Sequence, residues 1–309
     1  MVRVVTLTRF VVLAFLILWV VGAFFSDRWV WSQWLLWIPT PLILIMLAVL
    51  SALSFLVKKK MQATICLCGV LAITFWFCVF EHHLFSGNGA QGKVSLVGWT
   101  MSHPKNNVAE ESADLIVKLN GDITLLTHGW RVRGEPSIQE WLGTSGYKVI
   151  NSQFTLLTRF SPIQVRTLIA VDEIYISSFV LDTTEVLGDV LVIWAVDFPS
   201  SPFISKMEIA NRVLRLLQSV DTIKPDVVIG DFNMTRNSAA IRTLFPKLHD
   251  ASDTAGTGIL TSFPVEFPLF HIDHILIRHS LRATHYSLIN PHIGRHRIQV
   301  LDFELSHEK

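Results

Sequence analysis

The sequence predicts an α/β sandwich domain carried behind a three-helix membrane anchor. Three observations lead there. The 309 residues are 50% hydrophobic and only 17% charged, where a soluble domain runs near ~25% charged. The apolar surplus is concentrated in residues 1–80, and the remainder has the composition of an ordinary soluble domain. From residue 93 onward short apolar strands alternate with a few amphipathic helices, and several adjacent strands have no helix between them. That pattern fits a mixed sandwich better than a purely parallel doubly wound sheet. A disordered or low-complexity chain is excluded.

Three apolar runs, residues 10–25, 34–57 and 61–80, make up the anchor; a helix needs about 20 such residues to cross the hydrocarbon core. The first is short, but no small-residue cleavage site follows it, which argues against a removable signal peptide. Arg3 and Arg9 precede the first run, and Lys58, Lys59 and Lys60 separate the second from the third. The positive-inside rule places both clusters in the cytoplasm. The expected localisation is therefore integral to the cytoplasmic membrane, with residue 81 onward on its extracytoplasmic side. Trp29, Trp31, Trp34 and Trp37 would form an aromatic belt at the outer face. No Asp, Glu, Lys or Arg lies inside the second or third run, which argues against an ion pathway and leaves the lipid bilayer as the partner of these helices. All three cysteines, Cys66, Cys68 and Cys78, lie in the anchor, so the rest of the chain forms no internal disulfide. Residues 81–92, with His82, His83 and a Ser-Gly-Asn-Gly stretch, read as a flexible linker. The soluble domain is expected at residues 93–309.

Within that domain, residues 94–100 read as a strand, 109–119 as a helix, 122–127 as a strand and 136–142 as a helical turn. Strands follow at 154–158, 165–170, 173–181 and 190–196, the last fully apolar. Residues 204–220 place Ile204, Met207, Ala210, Val213, Leu214, Leu217 and Val220 on one helical face. A strand at 227–230, a helix at 238–244 and strands at 272–277 and 298–303 complete the series.

Three segments could carry chemistry. In Asp226-Val-Val-Ile-Gly-Asp231-Phe-Asn233 a buried strand runs out through Gly230. Asp231 and Asn233, two apart on an extended chain, would point the same way and suit a hard cation and a phosphate oxygen; the alternative is an Asx turn. In Phe270-His271-Ile-Asp273-His274, alternation puts His271 and Asp273 on one face and His274 on the other. That set could orient a general base or hold a metal, or be a hydrogen-bonded acid at a strand start. In Gly294-Arg295-His296-Arg297 the arginines suit phosphate and His296 suits acid–base work; a solvated turn is the alternative.

Taken in this order, the three segments resemble the endonuclease/exonuclease/phosphatase superfamily. The loop-like residues Ala255-Gly-Thr-Gly258 and Thr261-Ser-Phe-Pro264 and the segment Thr158-Arg-Phe-Ser-Pro-Ile163 add to the likeness, which covers roughly residues 93–305. It implies a four-layer α/β sandwich with two central, mostly antiparallel sheets, and Mg²⁺-assisted hydrolysis of phosphodiesters or phosphomonoesters. Carried over residue by residue, Asp231, Asn233, Asp273 and His296 match the superfamily's catalytic positions. Four positions depart from it. Thr100 stands where the family has Asn, His128 where it has its metal-binding Glu, Asp197 where it has His, and Arg295 where it has an Asp that orients the neighbouring His. The implied metal set is His128, Asp231 and Asp197; the implied phosphate set is Thr100, Asn233, Arg295 and Arg297. With an imidazole at position 128, the divalent cation is expected to be Mn²⁺ or Zn²⁺ rather than Mg²⁺. Arg295 would leave His296 without its partner and lower its proton affinity.

Two functions follow. One is a membrane-anchored phosphoesterase with a rearranged site, the other a catalytically impaired domain serving as a membrane-tethered binding module. From residue 84 on, 20 Lys and Arg face 23 Asp and Glu, a net of −3. That argues against a grip on long nucleic acid and for a small or lipid-linked phosphoester as the substrate.

Overall fold

A computed structural model describes residues 2–86, 89–101 and 108–306. The N-terminal helices, the candidate anchor, are α1 (Val2–Phe25), α2 (Val30–Leu36), α3 (Thr40–Leu56) and α4 (Lys60–Trp76), the last continued by a π-turn at Phe77–Glu81. Two helices, Arg3–Phe25 and Lys60–Glu81, are long and apolar enough to cross a membrane. The second apolar run is broken at Trp37-Ile-Pro39, where Pro39 caps α3 and cannot continue α2. α2 and α3 meet at a 62° bend and make a third crossing only if counted together. Val5, Val12, Ile43, Leu47 and Leu50 pack the helices against one another.

The domain begins with β1 (Val94–Thr100), α5 (Ala109–Leu119) and β2 (Ile123–Thr127), then α6 (Pro136–Leu142), β3 (Tyr147–Asn151), β4 (Phe154–Thr158), β5 (Pro162–Val171), β6 (Ile174–Leu181), α7 (Thr184–Leu187) and β7 (Leu191–Asp197). It continues with α8 (Lys206–Leu217), β8 (Val227–Asp231), α9 (Ala239–Leu244), β9 (Leu248–Asp250), α10 (Ala251–Ala255), β10 (Asp273–Arg278), β11 (Leu281–Ile289) and β12 (Ile298–Leu305).

The strands form two six-stranded sheets, ordered β11-β12-β1-β2-β4-β3 and β5-β6-β7-β8-β10-β9. Each has one parallel pair, β1/β2 and β7/β8, because only α5 and α8 supply the crossover a parallel neighbour requires. Leu96, Leu125, Phe179, Ile193, Ile229 and Phe303 fill the space between the sheets. α5 and α6 cover the outer face of the first sheet, and α8 and α9 that of the second. This is the four-layer sandwich. Each fully buried Phe, Ile or Leu contributes about 1.5–3 kcal/mol.

The helix expected from residue 204 starts at Lys206. The Ser205 hydroxyl accepts from Glu208 N–H (3.1 Å) and so ends the extended chain, leaving Ile204 40% exposed outside the helix. The chain read as a flexible linker is pinned at its start. Thr40 Oγ1 donates to Glu81 Oε2 (2.8 Å), Arg236 Nη1 donates to the Glu81 carbonyl (2.6 Å), and buried His82 accepts from Leu260 N–H at Nδ1 (3.1 Å). Gly87 and Asn88 of that stretch lie outside the described residues.

Candidate active site

Sheet register assembles the site. Asp197 pairs with Asp231 across β7/β8, and Asp231 pairs with Asp273 across β8/β10. Three carboxylates therefore stand abreast on three adjacent strands. In the other sheet Thr100 pairs with Thr127, the residue before His128. Gly230 makes the close approach possible: a Cβ there would sit 1.9 Å from the Val196 carbonyl oxygen, and its φ is +144°, open to glycine alone.

Asp273 is the hub. Its Oδ1 accepts from Thr100 Oγ1 at 2.6 Å, and its Oδ2 lies 2.9 Å from His296 Nδ1. The Ser262 hydroxyl fixes the start of its strand by accepting from Ile272 N–H (3.1 Å) and Asp273 N–H (3.2 Å). Burial alone would raise the Asp273 carboxyl, but His296 and its hydrogen bonds hold it below the usual carboxylate range. Burial would likewise lower His296, yet Asp273 pushes it up to about 9. The expectation that Arg295 would deprive His296 of its partner is thus corrected: the partner is Asp273 at the start of β10 in the facing sheet, and the exposed Arg295 stacks on Phe263 (5.1 Å).

Asp231 is raised well above the ordinary value, first by burial and then by the charge of Asp273. β8 ends at Asp231, so Asn233 is not two steps along an extended chain. At φ +50° it closes the Asx turn, donating N–H to Asp231 Oδ1 (3.0 Å) and Nδ2 to the Phe198 carbonyl (2.9 Å). His128, also left-handed at φ +58°, reaches Asp197 instead of Asp231, with Nε2 to Oδ2 at 2.9 Å. Gln153 Nε2 donates to the same oxygen. His82 is lowered to about 4, first by burial and then by Arg236, with the charge of Arg297 a smaller contribution.

Among the described residues, two groups bring three acid or imidazole atoms within 4.8 Å of one another: Asp231, Asp273 and His296, and Asp250, His271 and His274. His128 and Asp197 fall in neither. The second group corrects the expected alternation, because β10 starts only at Asp273 and His271 lies before it, beside His274 (4.5 Å between ring centroids). His274 is braced at both nitrogens, Nδ1 by Asp250 Oδ2 (2.6 Å) and Nε2 by the Met234 carbonyl (2.8 Å). Asp250 also accepts from Ser252 N–H at the start of α10 (2.9 Å).

Gln153, Lys206 and Asp27 carry no signal in the sequence, and Ser262 carries one only as part of the loop Thr261-Ser-Phe-Pro264. Lys206 is buried; burial lowers it to about 8 against the pull of Asp231 and Asp27, and Nζ donates to the Pro199 carbonyl (2.8 Å). Asp27, between α1 and α2, accepts from Ala239 N–H (2.8 Å) and Ala240 N–H (3.2 Å) at Oδ1 and from the Ser238 hydroxyl at Oδ2. Gln33 accepts from Lys206 N–H (2.9 Å) and donates to the Pro202 carbonyl (3.2 Å). The anchor therefore grips the two loops that leave Asp197 and Asp231.

No protein-family model matches the sequence, and no curated protein matches it. Solved structures do. An endonuclease/exonuclease/phosphatase from Bacteroides vulgatus superposes with a TM-score of 0.51 at 16% identity, over 69% of this chain and 99% of that one. The Bacteroides thetaiotaomicron mannosyl-6-phosphatase gives 0.52 at 11%, over 68% and 99%. An endonuclease/exonuclease/phosphatase family protein from Leptotrichia buccalis gives 0.53 at 12%, over 69% and 100%. Two facing six-stranded sheets, each with a central parallel pair and helices outside, thus give this chain the endonuclease/exonuclease/phosphatase fold.

Proposed function

We propose that the domain is a metal-dependent phosphoester hydrolase held at the outer surface of the cytoplasmic membrane, acting on a small or lipid-linked phosphoester. The observation that carries this is the row of Asp197, Asp231 and Asp273 on adjacent strands. The raised Asp231 carboxyl marks a concentration of negative charge with one imidazolium against it. Such a row suits a divalent cation, which Asp231 and Asp197 would hold, with His128 orienting Asp197. When bound, the cation supplies Lewis-acid neutralisation of charge on the phosphoryl oxygens.

The chain's own residues do the rest. Asp273 keeps His296 protonated through neutral pH, and with Nδ1 committed to Asp273, Nε2 presents the proton to a phosphoryl or leaving-group oxygen. The Thr100 hydroxyl, spent on Asp273, orients that carboxylate rather than the substrate. A fold neighbour described as a mannosyl-6-phosphatase supports phosphoester chemistry.

Sidedness has its own support. Arg9, Lys59 and Lys60 share one end of the helical anchor, while Asp27 and Gln33 meet the domain at the other. With the positive end in the cytoplasm, the site's loops face the outer leaflet, which favours a lipid-linked substrate.

The alternative, an impaired binding module, has one observation in its favour: His128 and Asp197 spend their facing atoms on each other. Hydrolysis of a generic phosphodiester and a phosphomonoester by the full-length protein in detergent, across Mg²⁺, Mn²⁺ and Zn²⁺, separates the two. Turnover that Asp231→Ala abolishes is the expected result. No turnover and no bound metal in the wild type would leave the binding module.

A further inference from the structure

A groove of about 780 Å³ runs along the N-terminal helices, remote from the carboxylate row. Its walls come from α1 and α4, and the buried Leu47 and Leu50 of α3 form its floor. A Cβ at Gly69 would touch only the Leu47 side chain, at 3.7 Å, so this glycine keeps the space above that leucine open. On α4 the lining extends from Lys60 to Ile73, about 20 Å at ~1.5 Å per residue. One leaflet with its headgroups is about as deep, half of a bilayer of ~40–45 Å. Charge sits at one end alone. Arg9, Lys59 and Lys60 line the groove there, and none of its lining residues is Asp or Glu. Among the described residues, none of these three cations forms an ion pair. Asp27, the one acid in residues 1–80, lies at the other end of the helices and is taken by Ala239 N–H (2.8 Å). The first turn of α4 has neither an acidic residue nor a side-chain cap, so its dipole adds positive potential at the same end.

We propose that this groove binds one anionic phospholipid from the leaflet at its basic end. The phosphate would lie among Arg9, Lys59 and Lys60, and an acyl chain along Leu16, Leu50 and Ile65. The countercharge has to come from outside the chain, because no carboxylate of these helices reaches that end. A groove one leaflet long, with charge only at its mouth, matches a lipid rather than a free anion, which would leave the apolar floor uncovered. Basic pockets between membrane helices select anionic heads in this way. A zwitterionic head is disfavoured, since its ammonium would meet three cations. The site requires α1–α4 to lie in a bilayer and does not depend on the proposed hydrolysis.

Native mass spectrometry of the full-length protein in non-ionic detergent tests it, with phosphatidylglycerol, phosphatidylethanolamine of the same acyl chains and soluble glycerol phosphate as probes. One phosphatidylglycerol per chain is expected, bound ~10-fold more tightly than phosphatidylethanolamine, a difference of about 1.4 kcal/mol; glycerol phosphate should bind weakly. Arg9→Gln and Lys60→Gln should each weaken retention about 5-fold, the effect of one cation near a membrane surface. Gly69→Phe keeps every charge, fills the groove above Leu47 and should abolish retention, with circular dichroism checking that its helices persist. Lys58→Gln removes a charge outside the lining and should leave retention unchanged. Undiminished retention in a folded Gly69→Phe, or a loss in Lys58→Gln equal to that in Lys60→Gln, would reduce the effect to diffuse attraction and overturn the site. Equal retention of the two lipids, or binding of glycerol phosphate as strong as that of the lipid, would overturn the proposal while leaving the anchor in place; retention of neither lipid would overturn the anchor with it.

Discussion

His296 Nδ1 and Asp273 Oδ2 lie 2.9 Å apart and buried, although 23 residues separate them and an arginine stands beside the histidine. The pair joins the two sheets of the sandwich: Asp273 opens β10 in one, and His296 sits just before β12 in the other.

This pair predicts a pH dependence. The His296 pKa rises from 6.5 to about 9 in the folded protein. Its contribution to stability is therefore complete below about pH 6.5 and lost as pH rises through about 9. The difference in unfolding temperature between wild type and His296→Gln should shrink over that interval, and the alkaline limb of the rate profile should fall near the same value. Asp273→Asn should move that limb down towards ordinary histidine. A wild-type advantage that is constant from about pH 6 to about pH 10 would contradict the linkage.

Asp231 predicts an inverse effect. Its folded pKa lies above its unfolded one, raised first by burial and then by Asp273, so without metal its ionisation costs stability as pH rises above the ordinary carboxylate range. In a chelator, Asp231→Asn should be more stable than wild type. Mn²⁺ should raise the wild-type unfolding temperature and leave the variant unchanged. A variant less stable than wild type in the chelator would show that the carboxylate is satisfied without a cation.

His128 predicts an effect on metal affinity. Its Nε2 is spent on Asp197, so it acts on a cation through that carboxylate. His128→Ala should weaken metal affinity about 10–100-fold, read by titration calorimetry; unchanged affinity would remove His128 from the site.

The joint between anchor and domain predicts a change in local dynamics. Asp27 supplies the acceptors for the first N–H groups of α9, a cap worth about 1–2 kcal/mol. Asp27→Ala should speed amide exchange in residues 239–244 about 10-fold or more, leaving the β-sheet amides unchanged. Equal exchange in both proteins would mean that the cap is redundant.

The core strands were legible because their side chains alternate or run wholly apolar. β3 was not, because Tyr147, Lys148 and Ile150 are exposed at a sheet edge, nor was β11, which has a bulge between Ala283 and His285. At the site, Asp231 and Asp273 stood out through the strands that lead to them. The partner of His296 did not, because register across a sheet is a non-local property that spacing does not encode. Asp27 was hidden for a different reason. It is one charge offset by Arg28 in a short turn between apolar runs, and only the fold brings α9 down onto it.

That grip bears on how the protein can be dissected. A soluble fragment cut near residue 84 keeps both sheets, but it strips Ala239 and Ala240 of the carboxylate that receives their N–H groups and Lys206 of the amide that receives its own. It also removes Glu81 and His82, and with them the acceptors of the Arg236 guanidinium and the Leu260 N–H. The end of the apolar helices and the edge of the folded unit are different places. A truncated protein would keep Asp197 and Asp231 at the ends of strands whose following loops have lost their outer fastening, so any kinetics measured on it would describe a slackened site.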